Sequence, residues 1–269
     1  AALSRRGALL AALASVGRAA LASSSRAPGG GRALGPRLYT PLPLAVGTDV
    51  SLPDEQRHYL FSVMRVRQGK PCRLFNGVDG EFAATVKRLD RKAAELTISS
   101  RLRVAPARAG GPILLFGLLK GARLPMLVEK ATELGVYELR PVITEYCATR
   151  NVNLERLSAI ATEAAEQSGR LTVPLVTEPQ PLQKALSEWD ATVPLCVCDE
   201  RGNGLRLTEA DVGKSPGVLI GPEGGFSSAE FEAFTGMSCV TLVSLGPNIL
   251  RAETAAMAAL SVIGLQREA

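Results

Sequence analysis

Two glycine-bearing segments near the C-terminus combine the residue types that a ligand site needs: Leu219-Ile-Gly-Pro-Glu-Gly-Gly-Phe226 and Leu245-Gly-Pro-Asn-Ile-Leu-Arg-Ala-Glu-Thr254. Glycine lets a ligand approach the backbone closely and accepts φ values that other residues resist. The implied chemistry is therefore binding by main chain, with a few charged groups (Glu223, Arg251 and Glu253) set between and behind the glycines. Each segment follows a short apolar stretch, 217–220 and 240–245, that reads as a buried strand. Each then runs into helix-forming sequence, 227–234 and 252–265. Strand-to-loop turns that open helices are what an open α/β sheet uses to hold a ligand at its strand ends.

Other chemistries are thinly represented. His58 is the single histidine, and no nucleophile elbow accompanies it. The five cysteines (Cys72, Cys147, Cys196, Cys198, Cys239) contain no CxxC pair, so neither a disulfide framework nor a zinc knuckle is indicated. Cys196 and Cys198 alternate along an apolar stretch and read as buried strand thiols. Neither a phosphate-loop motif nor a dinucleotide fingerprint is found.

The elements that must position the glycine segments fall into two blocks. Residues 49–104 give short alternating segments, 72–75, 81–86 and 94–98, separated by turn sequences such as Asn76-Gly-Val-Asp-Gly80. This pattern predicts a small β-barrel. A linker rich in Pro, Ala and Gly covers 106–112. From Ile113 strands and helices alternate: strand 113–118, helix 124–134, strand 138–142, helix 154–168, strand 175–177, helix 182–188 and strand 193–198 precede the two glycine segments. Strands separated by helices predict a mostly parallel sheet with helices on both faces.

The chain has 269 residues and a formal net charge of +5, but the excess is local. Residues 1–48 hold six arginines and no acid, and without them the remaining basic residues almost balance the 26 acidic ones. The front block keeps a modest basic excess, eleven against seven over 49–105, the one part that suits a polyanion. The leader is rich in Ala, Arg and Ser, lacks carboxylates and ends in a Pro/Gly stretch. That composition predicts an organellar transit peptide over 1–36, mitochondrial rather than secretory because arginines continue to Arg37. No stretch approaches the length of a membrane span, and no membrane role is expected.

The two glycine segments, with Lys120-Gly-x-Arg123, Glu129-Lys-Ala-Thr-Glu-Leu-Gly135, Pro141-x-x-Thr-Glu145 and Glu166-Gln-Ser-Gly-Arg170, closely resemble the RsmE family of ribosomal RNA uridine-N3 methyltransferases. In the front block His58-x-x-x-x-Val63-Met-Arg65, Gly69 and Phe75-Asn-Gly77 resemble that family's PUA-like barrel. The likeness runs in order over 37–265. It implies an α/β SPOUT fold over 113–269 whose C-terminal part threads a trefoil knot, preceded by a PUA-like β-barrel RNA-binding domain over 37–105. It also implies a homodimer, S-adenosyl-L-methionine as cofactor, no metal, and ribosomal RNA or a small ribosomal subunit particle as partner. With the leader, it places the protein in the mitochondrial matrix.

On this likeness Ile220, Gly221, Pro222, Gly225, Leu245, Gly246, Ile249 and Leu250 are expected to hold the cofactor, the apolar ones against adenine. Methylating uracil N3 requires stabilising negative charge as the ring loses its proton. Arg251, Glu253 and Glu223 are the expected catalytic residues, Arg251 facing the base and Glu223 orienting Arg251 or the base. Arg65, Arg67, Arg123 and Arg170 are the expected RNA contacts, with Glu163, Gln167 and Arg170 sharing one helix face that approaches the site. Asn248 departs from the family's common arginine and removes one positive charge. Three readings stay open at this point: an N3 methyltransferase, a SPOUT methyltransferase acting on another RNA or on a ribose 2′-oxygen, and an RNA-binding assembly factor without turnover.

Overall fold

The computed structural model describes residues 35–106, 110–202 and 204–268. Residues 1–34 of the expected transit peptide and 107–109 of the expected linker lie outside them. In the front block the described strands are β1 (Arg37–Tyr39) and β2 (Asp49–Ser51), a short helix α1 (Asp54–His58) running into a π turn (Tyr59–Val63), then β3 (Pro71–Asn76), β4 (Gly80–Leu89) and β5 (Ala94–Arg103). They form one five-stranded sheet in the order β1-β3-β4-β5-β2, with β1 parallel to β3 and the other pairs antiparallel. The two outermost strands, β1 and β2, show no pairing with each other among the described residues. Strand alternation is plain in β4, where Phe82, Ala84 and Val86 face inward against Leu74, Leu96 and Ile98.

The β3–β4 turn shows why its residue types are what they are. The Asn76 side-chain oxygen accepts from the amides of Val78 and Asp79, and its nitrogen donates to Asp79 and to the Leu42 carbonyl. Gly80 has φ +105°, and a Cβ there would stand 2.1 Å from the Arg103 carbonyl oxygen, so only glycine lets β5 pass.

The second block is β6 (Ile113–Gly117), α2 (Arg123–Glu133), β7 (Glu138–Ile143), α3 (Leu154–Ser168), β8 (Leu175–Val176), β9 (Gln180–Pro181), α4 (Leu182–Ser187), β10 (Leu195–Cys198), β11 (Leu205–Arg206), β12 (Gly217–Ile220), α5 (Ser228–Thr235), β13 (Val240–Ser244) and α6 (Ala252–Glu268). The sheet order is β11-β13-β10-β12-β6-β7-β8, with β9 also on β7, and every pairing is parallel. Alternate residues feed two cores. Leu114, Phe116, Cys196, Val218 and Ile220 pack with α2, α3 and α6. Leu115, Leu195, Val197 and Leu219 pack with α4, Trp189 and Phe234 on the other face. Helices thus cover both faces, as strand–helix alternation predicted.

The two blocks meet through a buried polar clamp. Glu81, 2 % exposed, receives Arg37 Nε at 3.0 Å, Arg73 at 3.4 Å and Arg103 Nε at 2.6 Å. Arg37 also donates to the Ala165 and Arg170 carbonyls at 2.8 and 2.6 Å, and Arg103 to the Gly169 carbonyl at 2.6 Å. These carbonyls surround the C-terminal end of α3, where the helix dipole favours positive charge. Arg37 lies flat on Phe75, 3.5 Å from its ring centre. From the α3 side, Glu166 accepts the Tyr39 amide at 2.9 Å.

Candidate active site

Three strand ends build one cavity of about 530 Å³ at the carboxyl edge of the parallel sheet. The loop after β12 contributes Ile220, Gly221, Pro222, Glu223 and Gly225; the loop after β13 contributes Leu245, Gly246, Ile249, Leu250 and Arg251. All eight residues expected to hold a cofactor line this single space. The third wall comes from the end of β10: Cys198, Asp199, Glu200 and Arg201.

The loops are shaped by local chemistry. The first is held by a capping box at α5, in which Ser227 accepts the Glu230 amide and Glu230 accepts the Ser227 amide. Gly225 has φ +70°, and a Cβ there would come within 2.5 Å of the Glu200 carboxylate. In the second loop Gly246 has φ +123° with nothing within 4 Å of its Cβ position, so the backbone leaves open space where a side chain would stand. Gly221 differs from expectation. Its Cβ would meet the Phe226 ring at 3.2 Å, so its smallness serves loop packing. Ile249, expected as a cofactor wall, reaches the cavity but is 79 % exposed. Leu250 packs partly against the core.

The charged groups are arranged differently from the sequence expectation. Glu223 does not orient Arg251. Its carboxylate receives Arg123 at 3.1 Å and the Lys120 amide at 3.3 Å, which ties the first loop to the start of α2. Arg123, expected on an RNA surface, lines the cavity and lies 3.9 Å from Glu253. Glu253 is 7 % exposed at the first turn of α6, does not line the cavity, and one of its oxygens is buried without a hydrogen-bond partner among the described residues. Arg251 is exposed, lines the cavity, and has no side-chain hydrogen bond or ion pair among the described residues.

Arg170 is a correction. Its guanidinium turns inward to the Thr132 and Val136 carbonyls, at 2.6 and 2.8 Å, and to Thr172 at 3.0 Å, which caps the C-terminal end of α2. Burial opposes its charge. Glu163 and Gln167 are exposed on α3, and neither lines the cavity. The Glu166-to-Arg170 motif therefore joins the two blocks and does not approach the pocket. Arg65 and Arg67 are exposed in the front block, Arg65 with a left-handed φ of +49°. Burial, reinforced by Cys196, pushes the Cys198 thiol up to about 12, which keeps it a neutral wall group.

Sequence reasoning missed the β10 wall because no glycine motif marks it. A signal was present: Asp199-Glu-Arg201 directly follows an apolar strand, at the sheet edge where ligands bind.

Glycine loops at the ends of β12 and β13, which flank β10 in a parallel sheet, form this cavity, and the class of protein is an RNA methyltransferase with a PUA domain in front. Residues 112–264 match the RNA methyltransferase domain model and 52–99 the RNA methyltransferase PUA domain model. The chain is 32 % identical over 232 residues to ribosomal RNA small subunit methyltransferase E of Rickettsia conorii, covering 85 % of this chain and 95 % of that one. Against the Bacillus subtilis protein of the same name it is 32 % identical over 240 residues, covering 81 % and 90 %. In structure it is similar to the Neisseria gonorrhoeae ribosomal RNA small subunit methyltransferase E bound to S-adenosyl methionine. That match has a TM-score of 0.80, 30 % identity, and coverage of 86 % and 97 %. A Legionella pneumophila putative methyltransferase in complex with the same cofactor matches with a TM-score of 0.77 and 31 % identity, covering 86 % and 97 %. The chain belongs to the ribosomal RNA small subunit methyltransferase E family.

Proposed function

We propose that this protein methylates N3 of a uridine in mitochondrial small-subunit ribosomal RNA, with S-adenosyl-L-methionine as donor. One observation carries the reading: both glycine loops converge on one cavity with Arg251, which has no side-chain partner among the described residues. Its volume of about 530 Å³ lies within the range of cofactor sites. The residues fit the cofactor. Open space at Gly246 admits a ligand against backbone, and Ile220, Leu245 and Leu250 supply apolar surface for adenine. When bound, the cofactor supplies an electrophilic methyl group on positively charged sulfur.

Arg251 then faces the incoming base. Its guanidinium stabilises the negative charge that spreads over the uracil oxygens as N3 gives up its proton to water. Arg123 holds Glu223 and approaches Glu253, so the two loops keep a fixed spacing across the cavity. Arg65 and Arg67, exposed in the basic front block, are suited to phosphate contacts. Exposed Ile249 and Leu265 offer apolar surface for a homodimer. The trefoil knot belongs to this proposal, as does the mitochondrial matrix, which rests on the arginine-rich, acid-free leader.

The test is methyl transfer from labelled S-adenosylmethionine to small-subunit particles from cells lacking this protein, followed by mapping of modified uridines. A single uridine gaining an N3 methyl group is expected. Transfer to a ribose oxygen, or cofactor binding with no transfer to any ribosomal RNA, would overturn the assignment.

A further inference from the structure

Arg201 is the feature of the cavity that the reading above leaves unused. It sits in the turn that follows β10, closed by the Gly202 amide donating to the Asp199 carbonyl at 3.2 Å. Asp199 is fixed in turn by the β10–β13 ladder, its amide donating to the Val243 carbonyl at 2.9 Å. The Asp199 side chain is fully buried and accepts Arg201 Nε at 2.9 Å and Nη2 at 3.3 Å, with the Arg201 backbone amide at 3.0 Å. A carboxylate fork of this kind holds a guanidinium in one plane. One face of that plane lies on the Phe231 ring, 3.4 Å from its centre, and Phe231 is braced edge-on by Phe226. The side chain is nevertheless 50 % exposed and lines the cavity. The result is a flat cation with one face backed by an aromatic ring and with access to the cavity.

We propose that Arg201 is a stacking platform for an unpaired RNA base next to the target uridine. Unstacked bases are held on aromatic or guanidinium planes, and a guanidinium adds attraction for the neighbouring phosphate. The alternative occupant, the cofactor's adenine, fits less well. The apolar surface suited to adenine, Ile220, Leu245 and Leu250, belongs to the ends of β12 and β13 and the loops after them, whereas Arg201 belongs to the turn after β10. The proposal rests on the methyltransferase reading and deepens it: the pocket would grip one flanking nucleotide as well as the target.

The experiment uses the full chain and short single-stranded RNAs in which 2-aminopurine replaces the nucleotide on either side of a uridine. Binding is followed by fluorescence, with and without S-adenosylmethionine, and cofactor affinity is measured in parallel. Wild-type protein should quench one of the two probes, as stacking does. Arg201→Ala should weaken RNA binding roughly 5- to 100-fold, the range expected for losing one stacked base, and should abolish the quench with cofactor affinity unchanged. Arg201→Lys, which keeps the charge without the plane, should retain the salt dependence of binding and still lose the quench. Phe231→Leu preserves an apolar filler and should lower the quench while thermal melting stays near wild type. Unchanged RNA affinity and quench in Arg201→Ala would overturn the platform. So would a loss of cofactor affinity matching the loss for RNA, which would make the occupant adenine. A wild-type protein that bound no cofactor would instead sink the methyltransferase reading, and the RNA comparison made without cofactor would still decide the role of Arg201.

Discussion

Two places in this molecule bring arginines against glutamates, and they do opposite things with them. At the junction of the two blocks, Glu81 receives three guanidiniums, two of which continue to carbonyls at the end of α3, and Arg170 is absorbed by carbonyls at the end of α2. At the cavity, Arg123 is paired with Glu223, whereas Arg251 is exposed with no side-chain partner among the described residues. A charged group whose donors all end on its own protein holds the fold in place. One left without partners at a concave surface is ready for a ligand. The difference lies in the surroundings and not in the residue types.

That contrast is open to attack from both ends, beginning where the effect is largest. Glu81→Ala leaves buried guanidiniums without a counter-charge. It should lower stability by about 3–5 kcal/mol, the scale of a buried ion pair broken from one side. Urea unfolding monitored at the single tryptophan measures this, and turnover per folded molecule should stay near normal. A loss below about 1 kcal/mol would mean that the junction is no more structural than an exposed ion pair. Arg251→Ala should behave in the opposite way. Turnover should fall roughly 10²-fold or more, as for one preorganised charge stabiliser, with stability within about 0.5 kcal/mol of wild type. Arg251→Lys should recover only part of the rate, because a point charge lacks the planar fork. Single-turnover methyl transfer decides it.

A smaller effect is expected from Gly246→Val, which combines a strained φ of +123° with a side chain in open cavity. Cofactor affinity should drop about tenfold or more by isothermal titration, the counterpart of one or two kcal/mol of strain and lost contact. The front block should stay folded, since Gly246 is remote from its core.

The smallest effect concerns pH. Burial raises Glu166 above the usual carboxylate value despite its bond from the Tyr39 amide and the nearby Arg37 charge. The folded protein therefore holds that proton more tightly than the unfolded chain. The contribution of this site to stability falls as pH rises from the ordinary value of 4.5 through the raised one. Glu166→Gln still accepts from Tyr39 and removes this dependence. Melting curves between pH 4 and 7 should show the variant equal or slightly favoured at neutrality, by no more than about 2–4 °C. Lower stability at pH 7 than at pH 4 in the variant, as steep as in wild type, would assign the slope to other groups.

Most of the α/β block was legible from the chain. Helix α3 runs from Leu154 to Ser168 as its periodicity predicts, and β12 covers 217–220 as its apolar run does. Local pattern suffices there because burial on both faces demands continuous apolar strands and two-sided helices. The short strands β1 and β2 were not legible. Three residues carry too little pattern, and Arg37 in β1 looks like part of the leader until Glu81 and Phe75 surround it.

Sequence alone marked the two glycine loops, because backbone approach and strand-end geometry depend on residue types close together in the chain, and the family likeness of those loops implied the eight residues that meet in the cavity. Tertiary structure decided which charges serve the site. Arg170 and Arg251 are both arginines in family-like motifs; one lies beside the carbonyls of Thr132 and Val136, and the other beside open space. Arg201 becomes a flat platform only because β10 and α5 set Asp199 and Phe231 around it. The role of each guanidinium depends in part on a partner dozens of residues away, Thr132 for Arg170 and Phe231 for Arg201, and only tertiary packing brings them within reach.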